Sequence, residues 1–70
     1  MMPLTFAGIG EENIIVKVGG KPEIKKHLEN LGFVAGSNVT VLHTVGSSVI
    51  VKVKEARIAI SEQMAQKIMI

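Results

Sequence analysis

The 70-residue chain contains no cysteine, no tryptophan and no tyrosine. It also contains no aspartate, so all six of its acidic residues are glutamates. Without cysteine there is no disulfide staple, no thiolate nucleophile and no thiolate metal site. A cysteine-free small domain suits a reducing compartment. The two aromatics, Phe6 and Phe33, are too few for a platform on which bases stack. Nucleic acid is therefore an unfavoured partner. No apolar run approaches the ~20 residues of a membrane span. The opening MMPLTFAGIG lacks the basic region and long apolar run of a secretory leader. The expectation is a cytoplasmic chain that does not itself span a membrane. Catalysis is equally short of parts. The glutamates are spread out, and Ser37, Ser47, Ser48 and Ser61 fall where turns or a helix cap explain them. No phosphate loop or dinucleotide fingerprint is present, so the chain is not read as an enzyme.

What is present is β-branched. Val and Ile dominate an apolar fraction of 47%, and such residues favour pleated surfaces. A chain of this length forms one small domain, which buries only roughly 60% of its unfolded surface. The net charge of +2 leans weakly toward anionic partners.

The stretch Pro22–Val41 organises the rest. Ile24, Leu28 and Leu31 recur at helical spacing and share one face. Pro22 suits the first helical position, and Glu23 suits the positive end of the helix dipole. Gly32 is placed to close the helix in a left-handed conformation. Phe33 then falls where a Schellman ending brings it against Leu28. Gly36 marks a turn into the next strand.

Before this stretch, residues 1–10 read as an extended arm, with Leu4 and Phe6 packing on the domain. Asn13–Val18 reads as strand one, with Ile14, Val16 and Val18 on one face and Ile15 and Lys17 on the other. After it, strand two covers Asn38–Thr44, with Val39, Val41 and His43 facing one way and Thr40, Leu42 and Thr44 the other. Gly46-Ser47-Ser48 is a hairpin turn. Strand three covers Val49–Lys54, with the three valines opposed to Ile50, Lys52 and Lys54. A turn at Glu55-Ala56 leads to strand four, Arg57–Ile60, with Ile58 and Ile60 inward. Ser61 caps a second short helix, Glu62–Lys67. The apolar end Ile68-Met69-Ile70 reads as a last strand paired near strand one. The fold is therefore mainly β with two short helices, in the order β-α-β-β-β-α-β. Five short strands cannot make a useful sandwich. Curling them into a small SH3-like five-stranded barrel buries one face and limits exposed edges.

The run L-x-x-L-G-F-x-x-G-x-x-V-x-V at Leu28–Val41 resembles the FeoA family. So does V-x-V-x-x-x-R-I-A-I at Val51–Ile60, followed by a short helix and an apolar end. The resemblance covers nearly the whole chain. It implies a small cytoplasmic partner of the ferrous-iron transporter FeoB, a membrane protein with a G-domain. The same SH3-like domain ends metal-dependent repressors of the diphtheria-toxin-repressor type, so a regulatory role in transcription is the alternative. The absence of an upstream helix-turn-helix favours the transport partner.

Three kinds of surface follow from the pattern. Leu42, Ile50, Lys52 and Arg57 fall opposite the inferred core and form the candidate partner-binding face. Ile15 belongs to the same outward set, and Phe33-Val34-Ala35 is a second candidate contact. Lys17, Lys52, Lys54 and Arg57 are the cations that would have to gather for nucleic acid. Glu23 and His27, at i and i+4 on the first helix, and His43 on strand two are the candidate donors for Fe(II) or Zn(II). They are too few for a ligand set, so no cofactor is expected. Leu28, Gly32, Phe33 and Gly36 are structural. Exposed strand edges allow a homo-oligomer.

Overall fold

The computed structural model describes residues 1–70. In chain order its elements are β1 (Glu12–Ile14), β2 (Lys17–Val18), α1 (Pro22–Asn30), β3 (Asn38–Val45), β4 (Ser48–Val53), β5 (Ala56–Ser61), α2 (Glu62–Ala65) and β6 (Ile68–Met69). A 3-10 turn at Leu4–Phe6 precedes them. The strands form two antiparallel sheets. One has four strands in the order β1-β3-β4-β5, and the other joins β2 to β6. The five expected strands are thus six, because the first is divided.

That division has a hydrogen-bond cause. Ile15 bonds toward β3: its N–H donates to Ser37 O at 2.9 Å, and its carbonyl accepts from Gly36 at 2.8 Å. Val16 bonds the other way, donating to Met69 O at 2.7 Å. The chain changes sheets between these two residues, and the side-chain alternation breaks with it. Ile15 is 1% exposed, whereas Ile14 and Val16 are 60% and 53% exposed. This reverses the expected facing of all three. Ile14-Ile15-Val16 is apolar at every position, so its pattern does not encode a phase.

α1 ends as its sequence requires. Gly32 has φ +111°. It donates to Glu29 O at 3.0 Å, and Phe33 donates to Leu28 O at 3.0 Å. These are the two bonds of a Schellman ending. Leu28 and Phe33 are fully buried, with Ile24 and Leu31 packed at the margin of the core.

β3, β4 and β5 form a meander. Val49, Val51 and Val53 point inward from β4 as expected, with Ile60 buried and Ile58 half-buried opposite them on β5. Gly46-Ser47 and Lys54-Glu55 are the connecting turns. The second lies one residue earlier than expected. β3 carries a bulge: Val41 pairs with Val51, but the next pair is His43 with Ile50, leaving Leu42 as the extra residue. Beyond the bulge Thr44 stands opposite buried Val49. His43 therefore leaves the face of Val39 and Val41, contrary to the alternation expected for strand two.

Ser61 caps α2 by accepting the Met64 N–H at 3.1 Å. The helix ends at Ala65, two residues short of the expected Lys67. β6 then pairs with β2, Lys17 to Met69 and Val18 to Ile68, as the apolar end of the chain implied. Met2 and Ile70 exchange backbone bonds of 2.9 and 2.8 Å, which extends this pairing into the arm. Leu4 is fully buried. Phe6 is 72% exposed and does not pack on the domain as expected. No polar side chain is buried. No helix is long and apolar enough to cross a membrane.

Candidate functional site

Cross-strand partners in an antiparallel sheet point to the same face. The outer face of the four-stranded sheet can therefore be read from register. One row runs Glu12, Thr40, Lys52, Arg57, and the next runs His43, Ile50, Ala59. Three of the four expected contact residues thus share this face. Ile50 and Lys52 stand two residues apart on β4, and Arg57 stands directly opposite Lys52 on β5. Lys52 and Arg57 are exposed, and Ile50 is half-buried. Leu42 sits in the β3 bulge, half-buried beside the patch. Local sequence explains the placement: three inward valines on β4 force Ile50 and Lys52 outward.

The electrostatics of this face are one-sided at its β4–β5 end. Like charges directly opposite each other in a sheet repel, yet Lys52 and Arg57 occupy such a pair. Thr40 separates them from Glu12 in the row. A polar recess beside them is lined by Glu12, Ser37, Asn38, Thr40, Lys52 and Lys54. Gly36, with φ +90°, forms the turn at its edge as expected.

Other expected groupings are not assembled. Lys17 lies on β2 in the second sheet, away from the Lys52–Arg57 row. Ile15 is in the core and offers no surface. Phe33 is buried, so of its tripeptide only Val34 and Ala35 reach the surface. Glu23 and His27 are exposed on α1, and His43 is exposed on β3. No three histidine, glutamate or comparable side chains come together where they could hold a metal ion.

A second surface escaped the sequence reading. A groove between the 3-10 turn and the β3–β4 end is lined by Leu4, Ala7, Ile9, Val41 and Val49, and equally by non-apolar residues that include Thr44 and Glu62. Ile9 and Val45, along with Phe6, are exposed large apolar residues in the segments that frame it. Gly8 and Gly10 flank Ile9 and mark a turn, but nothing in the pattern says which way the apolar side chains between turns will face.

The class defined by this architecture is a small β domain with a meander, a covering helix and open outer surfaces. The FeoA domain family model matches residues 2–70, and the chain belongs to that family. A Methanocaldococcus jannaschii protein bearing the name Fe(2+) transport protein A is 36% identical over 70 residues, covering 100% of this chain and 85% of its own length. The crystal structure of Stenotrophomonas maltophilia FeoA complexed with zinc, described as an SH3 domain protein, superposes with a TM-score of 0.84. It is 23% identical, and the match covers 97% of this chain and 87% of that one. A manganese-dependent transcriptional repressor gives a TM-score of 0.85 at 17% identity, covering 94% of this chain and 38% of the repressor. The fold is SH3-like, as the order of elements implied, and it is shared with a repressor domain.

Proposed function

We propose that the chain is a non-catalytic accessory module of ferrous iron uptake. It acts in the cytoplasm by docking on the cytoplasmic portion of a FeoB-type transporter. Family membership and the Fe(2+) transport name of its Methanocaldococcus relative support the iron role. The observation that carries docking is the cross-strand pair Lys52–Arg57 beside Ile50. A like-charge pair costs the isolated sheet stability. A partner carboxylate placed between the two cations converts that repulsion into attraction. Ile50 supplies an apolar contact at the same place. The mechanism is surface recognition that modulates the transporter, with its nucleotide cycle as the readout.

The test is titration of the chain against the purified cytoplasmic G-domain portion of the transporter, followed calorimetrically. Lys52→Glu and Ile50→Glu are expected to weaken binding at least tenfold, with circular dichroism unchanged. Binding that survives both variants removes this face from the interface. Recovery of stoichiometric iron or zinc on the chain, with no transporter binding, would favour a direct metal-binding role instead.

A further inference from the structure

The four-stranded sheet has two free edges, and they differ. β1 is three residues long and begins with Glu12, preceded by Glu11. A short acidic edge resists pairing with another strand. β5 is six residues long and pairs with β4 in unbroken register. It has no proline, no bulge and one charge, Arg57. The usual devices that protect an edge are almost absent from it.

The β4–β5 register fixes which backbone groups are free. The two-residue turn makes Val53–Ala56 the closing pair. Ala56, Ile58 and Ile60 then spend their backbone groups on β4. Arg57 and Ala59 direct theirs outward, along the open edge, as does the N–H of Ser61, whose carbonyl is taken by the first turn of α2. These three are also the residues whose side chains face outward, whereas Ile58 and Ile60 face the core side.

We propose that this edge pairs with the β5 edge of a second copy of the chain, antiparallel about a two-fold axis at Ala59. The register is self-complementary. Ala59 meets Ala59 of the second copy, and Arg57 meets Ser61 of the second copy. Both are pairs of outward-directed residues: the two Ala59 residues exchange both of their free groups, and each Arg57 carbonyl accepts the Ser61 N–H of the other copy. On the core side Ile58 lies against Ile60 of the second copy, completing the burial of a half-exposed isoleucine. Arg57 is the one charge on the edge and lies opposite Ser61 of the other copy, so the pairing brings no like charges opposite each other. Ile50 and Lys52 remain on the outer face. The result is one eight-stranded sheet across a symmetric dimer.

Sedimentation equilibrium of the isolated chain over a concentration series tests the proposal without any transporter, so its outcome is independent of the docking reading. Expected is a species of twice the monomer mass. Ala59→Lys, which sets two like charges across the axis, is expected to reduce it to monomer. Ala59→Pro removes an N–H that the monomer leaves free, as a proline on an edge strand can, and is expected to weaken dimerisation at least tenfold with circular dichroism unchanged. The unchanged spectrum separates lost pairing from misfolding. A chain that stays monomeric at millimolar concentration overturns the proposal. A dimer indifferent to Ala59→Lys also overturns it, by placing the interface elsewhere. Protection of the Arg57 and Ala59 amides from exchange only on adding the transporter domain assigns the edge to an extended segment of that partner, and again overturns self-pairing.

Discussion

Phe33 donates its backbone N–H to the carbonyl of Leu28 at 3.0 Å, and both side chains are fully buried. One residue pair therefore closes α1, starts the passage into β3 and fills the centre of the core. Removing the Phe33 ring leaves a cavity against helix and sheet at once. Phe33→Ala is expected to cost about 3–5 kcal/mol. A core of this size supplies no more than about 3–5 kcal/mol in total. The variant should be largely unfolded at 25 °C, as judged by circular dichroism and amide dispersion.

Gly32 makes the same passage possible through its φ of +111°. An added Cβ would lie 3.7 Å from Lys54 and Val53 atoms, which is ordinary contact. The penalty of Gly32→Ala is therefore conformational rather than steric. About 1–3 kcal/mol of stability is expected to be lost. Urea midpoints would reveal this, and an unchanged midpoint would mean that the helix end relaxes.

Lys54 is the one non-glycine residue with positive φ, at 56°. It opens the β4–β5 turn, where a Cβ is strained. Lys54→Gly relieves that strain and is expected to gain up to about 1 kcal/mol. Lys52→Gly, two residues away in regular strand, is expected to lose about 0.5–1 kcal/mol. Thermal melts of the two variants should move in opposite directions.

Ser61 Oγ accepts the Met64 N–H at 3.1 Å and caps a helix of only four residues. Ser61→Ala is expected to cost about 1 kcal/mol. The loss should concentrate in α2, as faster amide exchange at Met64.

His27 and His43 stand on separate elements without a third donor between them. Titration of the purified chain with Fe(II) or Zn(II) is expected to show no saturable tight site. Saturable binding that disappears in a His27→Ala, His43→Ala double variant would contradict this and make the two imidazoles ligands.

Parts of this molecule were legible because a single chain segment decides them. The α1 stop at Gly32, the inward valines of β4 and the Ser61 cap each follow from residues within a few positions of one another. The terminal strand was legible from Ile68-Met69-Ile70, because three apolar residues together need cover. The candidate face was readable for Ile50, Lys52 and Arg57, where alternation is unbroken. It was misread at Ile15, where the chain changes sheets, and altered at Leu42 and His43, where a bulge intervenes. The groove lined by Leu4, Ala7 and Ile9 was invisible, because the 3-10 turn at Leu4–Phe6 breaks any alternation in that segment.

The sequence by itself determined a small, mainly β, SH3-like domain, and its resemblance to FeoA proteins supplied the family. It also determined where α1 ends and which face of β4 is buried. Local dihedral preferences and unbroken two-residue alternation carry that information. Tertiary structure alone decided that strand one divides between two sheets and that β3 carries an extra residue at Leu42. It alone decided that Lys52 and Arg57 stand opposite each other. Each of these depends on which distant backbone group accepts a hydrogen bond. Ile15 turns to Ser37 and Val16 to Met69, and neighbouring side chains hold no record of that choice.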